Sequence, residues 1–316
     1  MRAFVTGGAG FIGSNLVDRL LAGGHAVDVV DNLSTGSLAN LAAARRDPDH
    51  EFSFQRLDVT SPDTADIMAR RKPDVVYHLA ARGCAAISVG EPILDAEVNV
   101  LGSLRVLEGA RRAGARKVVF ATTGSAIYGE RASAKLPVAE SAGHQPRSPH
   151  GVAKSSVAGY LAAYRELHDL EYTALALASV YGPGQSPEAA SGVVAIFAGN
   201  LVAGRSTTIH GDGSQTRDFV YIDDVIDALA RAAERGSGLT LNIGTGVETS
   251  VESLHALVAA SVGANAVAVH GPVRPGEVSR CSLNPGRAAI HLGWTPWTSL
   301  EVGVAATVEW VRTARR

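Results

Sequence analysis

The segment Ser148-Pro149-His150-Gly151-Val152-Ala153-Lys154 sets an imidazole and an amine four residues apart. On a helix that spacing puts both groups on one face. An imidazole with an ordinary pKa near ~6.5 can take a proton at neutral pH, and a lysine cation beside it lowers that pKa further. Upstream, Ala121-Thr122-Thr123-Gly124-Ser125-Ala126-Ile127-Tyr128-Gly129 offers the hydroxyls of Thr123 and Ser125, which could polarise a reacting oxygen. These residue types suit proton transfer.

A second group near the start of the chain suits a dinucleotide. Thr6-Gly7-Gly8-Ala9-Gly10-Phe11-Ile12-Gly13 places glycines at 7, 10 and 13, between an apolar run and a helical pattern. Bare positions there let a turn close, let the backbone approach a pyrophosphate and let the helix pack on its strand, with the helix N-terminus facing the anion. Asp31 follows Gly13 by 18 residues, near the ~20 expected for the acid that binds an adenosine ribose. A carboxylate there would repel a 2′-phosphate, so NAD is expected rather than NADP.

Such groups need a scaffold that brings strand ends together. Ala3–Val5, Ala26–Val30, Phe52–Leu57, Val75–Leu79 and Lys117–Ala121 read as strands. Between them lie helical spacings such as Leu16, Leu20, Leu21 and Val98, Leu101, Leu104, Leu107. Strand and helix in alternation predict a doubly wound, Rossmann-type α/β fold with a parallel sheet covered on both faces. Asp58 and Val59 close the third strand and Leu79, Ala80 and Ala81 the fourth, at the carboxyl ends where a cofactor would lie. Helical segments recur at 151–168 and 223–235. Residues 1–179 are expected to form the NAD-binding domain, with 223–245 returning to it, and 180–316 a smaller α/β substrate lobe.

The 316 residues are 46% hydrophobic, enough to bury a large core. A net charge of -2 without long runs of one sign argues against nucleic acid or an anionic membrane as a partner. Cys84 and Cys281 have no metal-ligand or CxxC spacing, which suits a reducing compartment. The run Ala3–Val5 is cut at once by Thr6-Gly7-Gly8, so no signal peptide or membrane span is predicted and the cytoplasm is the expected location.

TGGAGFIG, Asp31-Asn32-Leu33-Ser34, His78-Leu79-Ala80-Ala81, Asn99-Val100-Leu101-Gly102, Tyr181-Gly182-Pro183, the stretch Gly211 to Phe219, Asn242-Ile243-Gly244-Thr245-Gly246 and Arg274-Pro275-Gly276-Glu277 occur in this order over nearly the whole chain. The sequence thereby resembles the extended short-chain dehydrogenase/reductase family, and within it the UDP-galactose 4-epimerase branch. The resemblance implies an NAD-dependent nucleotide-sugar 4-epimerase acting by transient oxidation at C4, with a UDP-hexose as substrate. It adds Asn32, Ser34, Thr35, Gly36, Asn99 and Thr122 to the cofactor contacts. For the substrate it implies Ser179, Arg217, Arg274 and Glu277, with Val193 and Thr208, Ile209 and His210 near the nucleotide base. Arginine's fork of donors matches a diphosphate. Helices near 93–113 and 151–168 match the pair that joins two subunits in relatives, so a homodimer is expected.

Three departures accompany the resemblance. Family members carry Tyr-x-x-x-Lys where this chain has His150 and Lys154; counting back from Tyr128 puts Gly124 at the usual serine and Ala126 at a usual hydroxyl; and Ser179 replaces an asparagine found in many relatives. Three roles are open to His150. It is a general base; or it is structural or touches substrate, with a water or the Thr123 and Ser125 hydroxyls moving the proton; or catalysis has been lost, by nature or by design. Other NAD-dependent sugar-nucleotide chemistry, of the dehydratase or decarboxylase type, and a non-catalytic binding protein stay open as alternatives.

Overall fold

The computed structural model of the chain describes residues 1–83, 85–129, 136–188, 192–265, 267–273 and 278–314. Six strands, β1 (Arg2–Thr6), β2 (Ala26–Asp31), β3 (Phe52–Arg56), β4 (Val75–His78), β5 (Lys117–Thr123) and β6 (Glu171–Leu177), are joined by a seventh, Leu239–Ile243. All pair in parallel, in the spatial order β3, β2, β1, β4, β5, β6, Leu239–Ile243. The order reverses between β1 and β4, and that switch point opens a crevice at the carboxyl ends of the strands.

The central strands form where the sequence is apolar without alternation, because both sheet faces are covered. Ala3, Phe4, Val5 and Thr6 are all buried, as are Val75 through His78. On one face the helices Phe11–Ala22 and Ile222–Ala232 press Leu16, Leu20, Val225 and Leu229 onto the sheet. On the other, the helices Pro62–Arg71, Ser103–Ala113 and Pro149–His168 supply Met68, Val106, Leu107, Val157 and Leu161.

Strand ends differ from the sequence reading by one or two residues, most at β5, which runs on to Thr123. The expected helix over 93–113 is a composite: Pro92–Ala96, a wide π-type turn over Glu97–Gly102, then Ser103–Ala113. A π-type turn inserts a residue into the helical ladder and is a frequent mark of functional sites. Asn99 sits inside this one.

Beyond β6 the chain builds a second cluster, in which the helices Val193–Val202, Val251–Val262 and Leu300–Ala314 gather around Phe197, Leu254 and Val308. Its strands are short pairs: Ser179–Tyr181 with Phe219–Tyr221, Thr208–His210 with Val269–Gly271, and Thr216–Arg217 with Thr249–Ser250. Asp218 ties this lobe to the sheet. Its buried carboxylate accepts N–H bonds from Thr245, Gly246 and Leu283 and the Thr245 hydroxyl. Among the described residues, no helix is long and apolar enough to cross a membrane.

Candidate active site

The helix Phe11–Ala22 begins at Gly10, with no side chain capping it and no acidic residue in its first turn. Its leading N–H groups, at Phe11 and Ile12, are therefore left for an external anion. Gly7 adopts φ of +71°, and a Cβ there would lie 2.7 Å from the Ala80 backbone nitrogen. A Cβ at Gly13 would stand 2.1 Å from the Gly7 carbonyl. At Gly10 such an atom would meet only the Gly7 oxygen, at 3.3 Å, so the turn is open on that side. These features fit a dinucleotide pyrophosphate.

Asp31 ends β2 with its carboxylate turned to the glycine turn, one oxygen accepting from Ala9 N–H at 3.0 Å and the other from Leu33 N–H at 2.8 Å. Each oxygen keeps a lone pair for a ribose hydroxyl. Gly36 lies against Ala9, while exposed Asn32 reaches Asp58 at 2.7 Å and takes the Ser34 N–H. Ser34 and Thr35 are exposed beside them. Burial works against the Asp58 carboxylate, but hydrogen bonds from Thr60 and Asn32 hold its pKa below the usual range. Val59 is packed inside, against the position a Gly102 Cβ would take. Leu79, Ala80 and Ala81 are half-buried at the β4 end, across from the glycine turn.

Under this floor His78 joins two strand ends. Thr6 donates to its Nδ1 and Nε2–H donates to Ser103, each at 2.8 Å, because the Ser103 hydroxyl is itself spent on the Asn99 carbonyl. Burial holds the His78 pKa down at about 3, so the ring is neutral.

The helix Pro149–His168 carries the candidate catalytic pair. Ser148 caps it by accepting from Gly151 N–H, and Pro149 takes the first-turn position where no donor is needed. Lys154 reaches the Ala121 carbonyl of β5 at 3.1 Å and lies 4.6 Å from the Phe120 ring centre. Burial lowers its pKa to about 8, opposed by Asp95. At the tip of β5 the hydroxyls of Thr123 and Ser125 stand 3.3 Å apart. Gly124 lies between them because Leu283 fills its side; a Cβ would come within 2.5 Å of a Leu283 methyl carbon. A side chain at 124 would therefore require Leu283 to shift. Thr122 is buried nearby with its hydroxyl unpartnered.

His150 is buried, and its Nδ1 faces Asn99 Nδ2 at 3.4 Å and Asp95 Oδ1 at 3.7 Å. Its backbone N–H donates to Ser88 Oγ at 3.1 Å. Burial drives the ring pKa down to about 4, the Lys154 cation adds to this, and the Arg82 carbonyl pulls the other way. The ring is therefore neutral at physiological pH. The Asn99 side chain, expected at the cofactor, is engaged inside the protein: it accepts from Arg82 N–H and donates to the Arg82 carbonyl and to Asp95.

Asp95, Arg82 and Ser88 are absent from the sequence reading. Asp95 stands four residues before Asn99, and that spacing was the available signal.

The expected substrate contacts are more scattered. Ser179 is half-buried on a strand held to the Asp218 carbonyl, Arg217 is half-buried with one Nη on the Thr216 carbonyl, and Val193 opens its helix. Thr208 is exposed and His210 half-buried, but the Ile209 side chain is 2% exposed within the lobe core. Arg274 and Glu277 lie outside the described residues.

The sequence pattern of the NAD dependent epimerase/dehydratase family matches residues 3–244. The chain belongs to the NAD-dependent epimerase/dehydratase family. Among relatives in that family, the UDP-glucose 4-epimerase of Mycolicibacterium smegmatis is 46% identical over 313 residues, covering 99% of both chains. A Thermotoga maritima UDP-glucose 4-epimerase solved with UDP-glucose superposes with a TM-score of 0.95, at 41% identity over 100% of both chains. A Thermus thermophilus UDP-glucose 4-epimerase in complex with NAD gives 0.92 at 37% identity, covering 99% of this chain and 100% of that one.

Proposed function

We propose that this protein interconverts UDP-hexoses at C4, with His150 as the general base. The observation that carries the reading is the buried His150–Lys154 pair on the helix that abuts β5 and its two tip hydroxyls, within a fold matched end to end by UDP-glucose 4-epimerases. Bound NAD, held by the glycine turn and Asp31, supplies a reversible hydride acceptor. The protein's own residues do the rest. His150, neutral and aprotic at one nitrogen, takes the C4 hydroxyl proton and later returns it. Thr123 or Ser125 donates to the C4 oxygen as charge develops there. Lys154 contributes positive charge beside the ribose and anchors to β5. Residues 1–179 with 223–245 serve the cofactor, and 180–316 mostly the sugar nucleotide, where Arg217 and Arg274 pair with the diphosphate.

A dehydratase needs an acid-base carboxylate beside the active hydroxyl, and 121–129 contains none. The same reading makes the enzyme a cytoplasmic homodimer. Leu94, Leu101, Val152 and Tyr160 are exposed on the helices 92–113 and 149–168, and a groove between these helices is lined by Pro92, Ala96, Val100, Pro149 and Val152 together with Asp95, Arg147, Ser148 and Ser156. A second copy covers this apolar face.

The test is to incubate the purified protein with UDP-glucose and UDP-galactose, and with their N-acetyl and uronic-acid counterparts, following products by NMR alongside His150→Phe and His150→Tyr. Interconversion of a C4 pair that His150→Phe abolishes supports the proposal. Turnover by His150→Tyr alone would make the present chain an inactive binder.

A further inference from the structure

An imidazole is a base at only one of its two nitrogens when neutral, and the partner of the other nitrogen decides which. At His150 that partner can be worked out by counting hydrogens. Asn99 Oδ1 accepts from Arg82 N–H at 3.0 Å, which fixes the amide's orientation. Its nitrogen then has two hydrogens. One goes to the Arg82 carbonyl at 3.2 Å and the other to Asp95 Oδ1 at 2.9 Å. Neither is left for His150 Nδ1, although that atom is only 3.4 Å away.

What Nδ1 then faces is an acceptor, Asp95 Oδ1, at 3.7 Å, and the Arg82 carbonyl acts as an acceptor toward the same ring. A lone pair at Nδ1 would face the Asp95 oxygen and be repelled, whereas an N–H would be attracted. Asp95 is 1% exposed, and its Oδ2 has no hydrogen-bond partner. A buried carboxylate with spare acceptor capacity is costly unless it serves a donor. The ring this carboxylate faces is His150, through Oδ1, the oxygen that also accepts from Asn99.

We propose that Asp95, with the Asn99–Arg82 clasp, fixes His150 as its Nδ1–H tautomer and so presents Nε2 as the proton acceptor. Asp95 is a positioning residue: it acts through His150. The inference deepens the epimerase reading and rests on it for its catalytic consequence. In the step it serves, the O–H bond of the sugar C4 hydroxyl would break as an N–H bond forms at Nε2, and the hydride given up by C4 would be taken by the NAD that the glycine turn and Asp31 would hold. The resulting imidazolium faces Asp95, and the proton returns when the ketone is reduced.

The experiment uses NAD-loaded protein labelled with ¹⁵N-histidine, whose ring nitrogens report protonation by long-range ¹H–¹⁵N NMR at pH 7. The His150 signals are assigned by their loss in His150→Tyr. The expected result is a protonated Nδ1 and an unprotonated Nε2. In Asp95→Asn an amide N–H can face Nδ1, so the proton should move to Nε2 and kcat should fall roughly 10²- to 10⁴-fold, as when a base is held in the wrong tautomer. KM and NAD content should change little.

A proton on Nε2 in the unmodified protein overturns the proposal, and so does an Asp95→Asn variant that keeps both tautomer and kcat. Should that variant fail to fold, the spectrum of the unmodified protein decides alone. If His150 is the Nδ1–H tautomer but no C4 pair is interconverted, the epimerase reading fails and the positioning of His150 stands.

Discussion

A phenol must lose its proton before it can accept one, whereas a neutral imidazole is ready at pH 7. The exchange at position 150 therefore changes what Lys154 does. Beside a tyrosine, a cation favours the reactive phenolate; beside His150 it disfavours the charged form and keeps the ring neutral. The predicted pH profile of kcat/KM has an acid limb near the His150 value of about 4 and an alkaline limb near the Lys154 value of about 8. Activity falls below the first because imidazolium cannot accept a proton, and above the second because the lysine loses its charge. Lys154→Met should move the acid limb upward, since the ring loses the cation that opposes its protonation, and should lower kcat throughout. A limb that stays put would show that Lys154 does not act on His150. The pair itself was legible in the sequence, because four-residue spacing needs only a helix. For Asp95 only the four-residue spacing to Asn99 was legible; its approach to residue 150, 55 positions away, was not.

The same division between local and distant causes holds among the elements. Five of the seven strands of the central sheet stood out as short apolar runs, Glu171–Leu177 and Leu239–Ile243 did not, and the turn from β1 into the first helix stood out by its glycines. The π-type turn at Glu97–Gly102 left no trace, since the apolar positions around it still follow ordinary helical spacing. The two- and three-residue strand pairs of the smaller lobe are too short to show a period of two. The glycine turn yields an element-scale prediction. A methyl group at residue 13 meets backbone atoms at 2.1 Å and 2.7 Å, which cannot rotate away. Gly13→Ala should cost about 1–3 kcal/mol, in the range of overpacked cores. It should also empty the protein of NAD, because the helix N-terminus is pushed off the turn. Denaturant midpoints and the absorbance of released cofactor measure both, and an unchanged NAD content would contradict the account of the cradle.

For the whole molecule, the buried histidines set how acid is tolerated. His78 and His150 have folded pKa values of about 3 and about 4, below the ordinary value near ~6.5. The unfolded chain thus binds more protons between those limits, and stability is full above pH ~6.5 and is lost as pH falls toward 4 and 3. Each group removes about 1.4 kcal/mol per pH unit over its range. Urea unfolding at pH 7 and 4.5 should show the drop, and His150→Phe should make it shallower. The homodimer is tested at the same scale. Leu101→Glu with Val152→Glu places charge on the exposed apolar face and should give monomers by light scattering where the unmodified protein gives dimers.

The central claim is that a hydrogen leaves C4 of the sugar and comes back to the other face without meeting solvent. UDP-glucose deuterated at C4 tests it most directly, with the product followed by NMR. The account predicts UDP-galactose that keeps its deuterium at C4, and no deuterium gained at that carbon when unlabelled substrate turns over in D₂O. Exchange of the C4 label with solvent, or no UDP-galactose at all, would contradict it.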